Sequence, residues 1–225
     1  MSNQSLNDVL SEMRSLYTSD PTKAVRGQGF IKLLHGYLAS QLELRLTPTA
    51  RSAGVTVEQE ATLFGSHKPK DVDVSVIHPV NGPMMIVGLR SQMSSVGNNA
   101  LTYYQDIVGE CISLQDRFPL ATIGYVYLMP LRPIREEHED VVIDHFRYAR
   151  MYGAITGRSG HQWKSLRGIY DHFAYMVVDF TQNPPTIDEA LVQNAVPKHD
   201  LRVSTFIDRM VATYKERDLF LDYFE

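Results

Sequence analysis

Two neighbouring apolar runs carry carboxylates and a cation in a spacing that suits phosphate chemistry. The first is Lys68-Pro69-Lys70-Asp71-Val72-Asp73-Val74-Ser75-Val76, and the second, after a turn, is Met85-Ile86-Val87-Gly88-Leu89-Arg90-Ser91-Gln92. Period-two alternation puts Asp71 and Asp73 on one face of the first run, and Gly88, Arg90 and Gln92 on one face of the second. Carboxylates so placed hold Mg²⁺ against a scissile phosphodiester while a cationic side chain steadies the developing charge. A helix that follows at once can offer its N-terminal amides to phosphate, and Ser94, Ser95, Asn98 and Asn99 are suited to cap it. Two plainer roles compete. An isolated Asp-x-Asp is often no more than a solvated strand face, and a salt bridge to Asp71 or Asp73 would satisfy Arg90 as well as phosphate does.

Positioning these residues requires a particular order of elements. Ser5 to Tyr17 and Phe30 to Leu46 have apolar residues at helical spacing, with a break at Ser19-Asp20-Pro21-Thr22 and a stop at Pro48. The period then changes to two, predicting strands near Val55 to Leu63, Asp71 to Ile77 and Met84 to Leu89, the last a central strand because it is apolar throughout. Asn99 to Arg117 reads as a helix, Ala121 to Leu128 as a strand, Arg135 to Tyr152 as a charged helix, Phe173 to Phe180 as a strand and Leu201 to Phe224 as a helix. Strand, helix, strand implies a crossover, so the expected fold is α/β: a mixed central sheet with a crossover helix, flanked by N- and C-terminal helices.

This order, from about Phe30 to Leu128, resembles the restriction-endonuclease-like, or PD-(D/E)XK, nuclease superfamily. There a helix contributes an acid, a hairpin carries Asp on one strand and (D/E)-X-K on the next, and a crossover helix and a further strand follow. The run Leu89-Arg90-Ser91-Gln92-Met93-Ser94-Ser95, with Asn98 or Asn99, is similar to a subgroup of restriction-enzyme-like proteins. The resemblance implies a nuclease-like core at about 30–130, with additions at 1–29 and 131–225 in a single domain. It matches Asp73, or Asp71, to the metal-binding Asp, and Glu43 to the helical acid. The second half of the motif falls on Gly88-Leu89-Arg90, with Gly where a second carboxylate belongs and Arg where Lys belongs. Gln92, Glu58, Glu60 and Glu110 are candidates for the missing donor.

The implied function is a Mg²⁺-dependent endonuclease of the restriction or phage-defence kind. Asp73 would be the principal ligand, assisted by Asp71 and one of Glu43, Glu60 or Glu110, with Arg90 on the phosphate and Gln92 positioning water. The alternatives are a nuclease-fold subunit that binds DNA or a partner chain without cutting, and an interaction module of a defence complex. A homodimer is the usual form where both strands of a duplex are cut.

Other features narrow the field. A formal charge of −4, from 22 Lys+Arg against 26 Asp+Glu, excludes a globally basic nucleic-acid binder but allows a local basic site. One such neighbourhood runs from Arg147 to Arg167, where Arg158, Lys164 and Arg167 are interleaved with Tyr148, Tyr152, His161 and Trp163, the pattern of phosphate contact and base stacking. The single cysteine, Cys111, lies on a helical apolar stripe and is expected in the core. No stretch approaches the ~20 apolar residues of a membrane span and the first residues lack a leader pattern, so no membrane partner and a cytoplasmic address are expected.

Overall fold

The computed structural model describes residues 4–93, 96–132, 142–158, 169–217 and 222–225, with the side chains of 25, 26 and 96–98 left aside. The chain enters through helices α1 (Leu6–Ser19), α2 (Pro21–Arg26), α3 (Gly29–Leu44) and α4 (Pro48–Ser52). Strands β1 (Thr56–Phe64), β2 (Pro69–His78) and β3 (Gly82–Ser91) follow, then α5 (Val96–Arg117), β4 (Thr122–Pro130), α6 (His145–Gly153) and β5 (His172–Asp179). Strand β6 (Thr186–Ile187) and helices α7 (Glu189–Ala195) and α8 (Phe206–Arg217) complete it. The six strands form one mixed sheet in sequential order. β1, β2 and β3 run antiparallel, β3, β4 and β5 parallel, and β6 closes the edge antiparallel. Parallel pairing of β3 with β4 demands a long crossover, which α5 provides as the spacing of its apolar residues predicts.

Helices cover both faces. Leu10 and Met13 of α1, Leu34, Leu38 and Leu42 of α3, and Phe206 and Met210 of α8 pack on Val74, Val76, Val87, Leu89, Val126 and Met176. On the other side Ile107, Cys111 and Leu114 of α5, Tyr152 of α6 and Val192 of α7 pack on Ile123, Tyr125, Tyr127, Phe173 and Tyr175. β4 is buried at every position, as a parallel strand covered on both faces must be. Among the described residues no helix is long and apolar enough to cross a membrane.

Several elements depart from their sequence expectation for local reasons. Pro48 does not end α3, which stops at Leu44; it opens α4 behind a Thr47 cap whose side chain accepts from the Ala50 N–H. The C-terminal helix spans Phe206–Arg217 rather than Leu201 to Phe224. Before it, the Asp200 carboxylate binds the Arg202 N–H and the Thr205 hydroxyl in a turn. After it, the tail bridges Phe224 to Leu46, and the Glu225 N–H donates to the Arg45 carbonyl. α6 begins at His145, capped by Asp144, and the preceding part of the expected helix, 133–141, lies outside the described residues. β6 and α7 are too short to stand out by periodicity.

Candidate active site

Strands β2 and β3 pair from His78 and Gly82 up to Val74 and Val87, and there the ladder stops. β2 continues with β1 as far as Pro69, while β3 continues with β4 as far as Ser91, so the sheet forks. Asp73 sits at the fork, and its Oδ2 accepts the Leu89 N–H at 2.6 Å in place of a strand partner. Across on β1, Glu60 adopts φ 56°, the one non-glycine with positive φ among the described residues. It interrupts the ladder between Gln59–Val74 and Ala61–Val72. A left-handed Glu costs about 1–2 kcal/mol, which marks the fork as a strained place.

A cleft of about 730 Å³ opens here, lined by residues that include His35, Glu60, Asp71, Asp73, Arg90 and Tyr103. The structure thus brings Asp71, Asp73, Glu60 and Arg90, all candidates from the sequence, to one cleft. Arg90 Nη1 lies 3.3 Å from Asp73 Oδ2 and its Nη2 lies 3.3 Å from Glu110 Oε2. Burial opposes the guanidinium charge, but Glu110 and Asp73 hold its pKa above the ordinary value. Glu110, projecting from α5, is buried behind Arg90. Burial pushes its carboxyl pKa up, against the pull of Arg90 and of Lys70, whose Nζ is 3.8 Å away. Glu110 is therefore joined to Asp73 through the arginine rather than through open space. Asp71 stands nearer the rim and accepts the Thr62 hydroxyl at 2.6 Å.

Other expectations need correction. Glu43 does not reach the cleft: it pairs with Arg51 of α4, and lies about 12 Å along α3 from the residue that does, His35. Gln92 is buried with its backbone N–H on the Leu128 carbonyl, and it is not among the described residues that line the cleft, so it is not placed to position water there. Gly88 leaves no free space above the strand. A Cβ there would lie 2.2 Å from the ring of Tyr125, its partner in the β3–β4 register. A buried tyrosine thus occupies the volume where the resemblance expects the second carboxylate.

Arg158 is no surface cation. It is buried, with Nε and Nη2 both 3.1 Å from Asp171 and further bonds to the Pro119 and Ala121 carbonyls. Tyr148 and Tyr152 belong to the second core, so they offer no stacking platform. Lys164, Arg167, Ser94 and Ser95 lie outside the described residues, Asn98 falls on α5 with its side chain undescribed, and Asn99 is half-buried in its first turn.

His35 and Tyr125 are the two residues that sequence reasoning missed. His35 is 3% exposed, and among the described residues neither ring nitrogen has a hydrogen-bond partner. Burial holds its pKa below the usual imidazole value, against the pull of Asp73 and Glu60, so the ring is neutral near pH 7. Its only sequence signal is a polar residue beside the apolar stripe of α3. Tyr125 could have been found only from the parallel register, which no local pattern reveals.

Among the described residues no three His, Cys, Asp or Glu side chains converge tightly enough to hold a metal unaided. Mg²⁺ does not require that: one or two carboxylates suffice when water and substrate oxygens complete its shell. Asp73 and Asp71 are the β2 carboxylates that line the cleft. Compared with protein-family models, curated proteins and solved structures, the chain has no significant match.

Proposed function

We propose that the chain acts on nucleic acid through this cleft, as a Mg²⁺-dependent phosphodiesterase of the restriction or defence kind with a rearranged active site. The observation that carries this reading is the fork, where Asp73 interrupts the β2–β3 ladder and faces an open cleft together with Asp71, Glu60 and Arg90. A strained, polar cleft on a rigid sheet is an ordinary setting for catalysis. Its carboxylates repel a phosphodiester in the absence of a cation, so an anionic substrate and a divalent ion belong there together.

The ion, when bound, polarises the phosphate and lowers the pKa of an attacking water. The protein's part is orientation. The Leu89 N–H fixes Asp73 through Oδ2 and leaves Oδ1 for the cleft. Arg90, anchored by Glu110 and by the Leu89 carbonyl, keeps a permanent positive charge beside the place where phosphate charge develops. It cannot serve as a proton donor, so the leaving group takes its proton from water.

Plasmid cleavage by the pure chain in Mg²⁺ tests the reading. Asp73→Ala is expected to abolish cutting while the circular dichroism spectrum stays native, and cutting at the wild-type rate by that variant refutes the site. The closure of Gly88 by Tyr125 favours a second reading, a subunit that binds DNA without cutting. Wild-type chain that binds duplex DNA yet leaves it intact in both Mg²⁺ and Mn²⁺ selects that alternative.

A further inference from the structure

We propose that His35 is a ligand of the cation in this cleft, and that the pair His35 Nε2 and Asp73 Oδ1 favours a borderline first-row ion, Mn²⁺, over Mg²⁺. The inference rests on the cleft being a cation-assisted phosphodiester site and adds to it a donor outside the carboxylate motif.

Three observations converge on this pair. His35 lines the cleft yet is 3% exposed, and a buried imidazole with neither nitrogen hydrogen-bonded among the described residues forfeits solvation that a ligand restores. Its Nε2 stands 3.6 Å from Asp73 Oδ1, too far for a hydrogen bond. That separation is close enough for one ion bonded at about 2.1 Å to both atoms. Oδ1 is moreover the oxygen of Asp73 left over, because Oδ2 takes both the Leu89 N–H and Arg90. Two donor atoms therefore face each other at the cleft wall, each without another hydrogen bond among the described residues. Imidazole nitrogen shifts preference from Mg²⁺ toward transition ions, while the carboxylate keeps the site hard enough for Mn²⁺. Water and substrate phosphate complete the shell.

Calorimetric titration of the full chain with Mn²⁺ alone and Mg²⁺ alone, without nucleic acid, is the first measurement. One Mn²⁺ should bind, more tightly than Mg²⁺, and His35→Gln should weaken Mn²⁺ by about tenfold or more while leaving Mg²⁺ unchanged. Because His35 is buried and the variant can fail to fold, pulsed electron paramagnetic resonance of the Mn²⁺-loaded wild-type chain is the second measurement, and ¹⁴N modulation from a directly bound nitrogen is expected. Absence of Mn²⁺ binding, absence of that modulation, or wild-type Mn²⁺ affinity in folded His35→Gln overturns the inference. A chain that holds Mn²⁺ through nitrogen but cuts no DNA refutes the phosphodiesterase reading and leaves the ligand assignment standing. Mg²⁺-dependent cutting without a nitrogen signal does the reverse.

Discussion

Asp73, where the β2–β3 ladder ends, and Asp171, just before β5, are both carboxylates bound by arginine, and they have opposite fates. Asp171 precedes β5, at the end of the parallel strands remote from the cleft. It accepts from the Ile123 N–H, from Arg158 at 3.1 Å through two nitrogens and from Arg217 through two more, with its side chain 1% exposed. Hydrogen bonds from Arg217 and Arg158 overcome the cost of its burial and hold its pKa below the usual range. Asp73 has one amide and one arginine, its other oxygen 3.6 Å from the His35 ring, and a side chain 21% exposed. The first cluster is saturated and sealed, so it fastens α8 and the 158 segment to the sheet. The second is under-satisfied and open, which is what a site that exchanges ligands requires. Residue type does not distinguish them; the count of donors and the access of water do.

The sharpest way to break this contrast is Asp171→Ala. It strands the buried Arg158 guanidinium and the partly buried one of Arg217, and denaturant unfolding should show a loss of about 3–5 kcal/mol. A loss below about 1 kcal/mol would mean the cluster is not sealed. The same end of the molecule should govern the response to acid. Burial, reinforced by Arg209, lowers the His172 pKa to about 4, so between the unfolded value near 6.5 and about 4 the unfolded chain binds the additional proton. Stability is therefore full above pH 6.5 and falls as the pH drops through that window, by about 3–3.5 kcal/mol from this residue. His172→Gln should flatten that part of a stability–pH profile, and an unchanged slope would remove the assignment.

At the open end the effects shrink. Arg90→Ala leaves buried Glu110 with the Tyr125 hydroxyl and with Lys70 as its remaining cation among the described residues, and should cost about 2 kcal/mol, less than the sealed cluster because 30% of the Arg90 side chain meets water. A double-mutant cycle with Glu110→Gln measures the coupling directly, and a coupling near zero would show that the pair is incidental. The smallest effect is expected for Asp73→Asn, under about 1 kcal/mol in stability, since the amide oxygen still accepts from Leu89. If Asp73→Asn proved as destabilising as Asp171→Ala, the fork would be a structural joint and not a site.

The sequence alone determined the periodic parts of this protein. Alternating valines with intervening acids specify β2, the unbroken apolar run specifies β3, and the Ile107–Cys111–Leu114 stripe specifies the crossover α5, because each pattern buries its apolar side only in one secondary structure. From these follow the mixed sheet and the meeting of Asp73 with Arg90, two residues on adjacent strands of one hairpin. What the tertiary structure decided is everything that depends on which distant elements touch. Helix α3 presents His35 to the fork and gives Glu43 to Arg51, Tyr125 fills the space over Gly88 through a parallel register, Arg158 turns inward to Asp171, and Glu110 approaches Arg90 from behind. Local pattern reports which face of an element is apolar, whereas the partner of each polar side chain is set by packing between elements far apart in the chain, where a rotation of one helical residue exchanges a cleft-lining side chain for a surface ion pair.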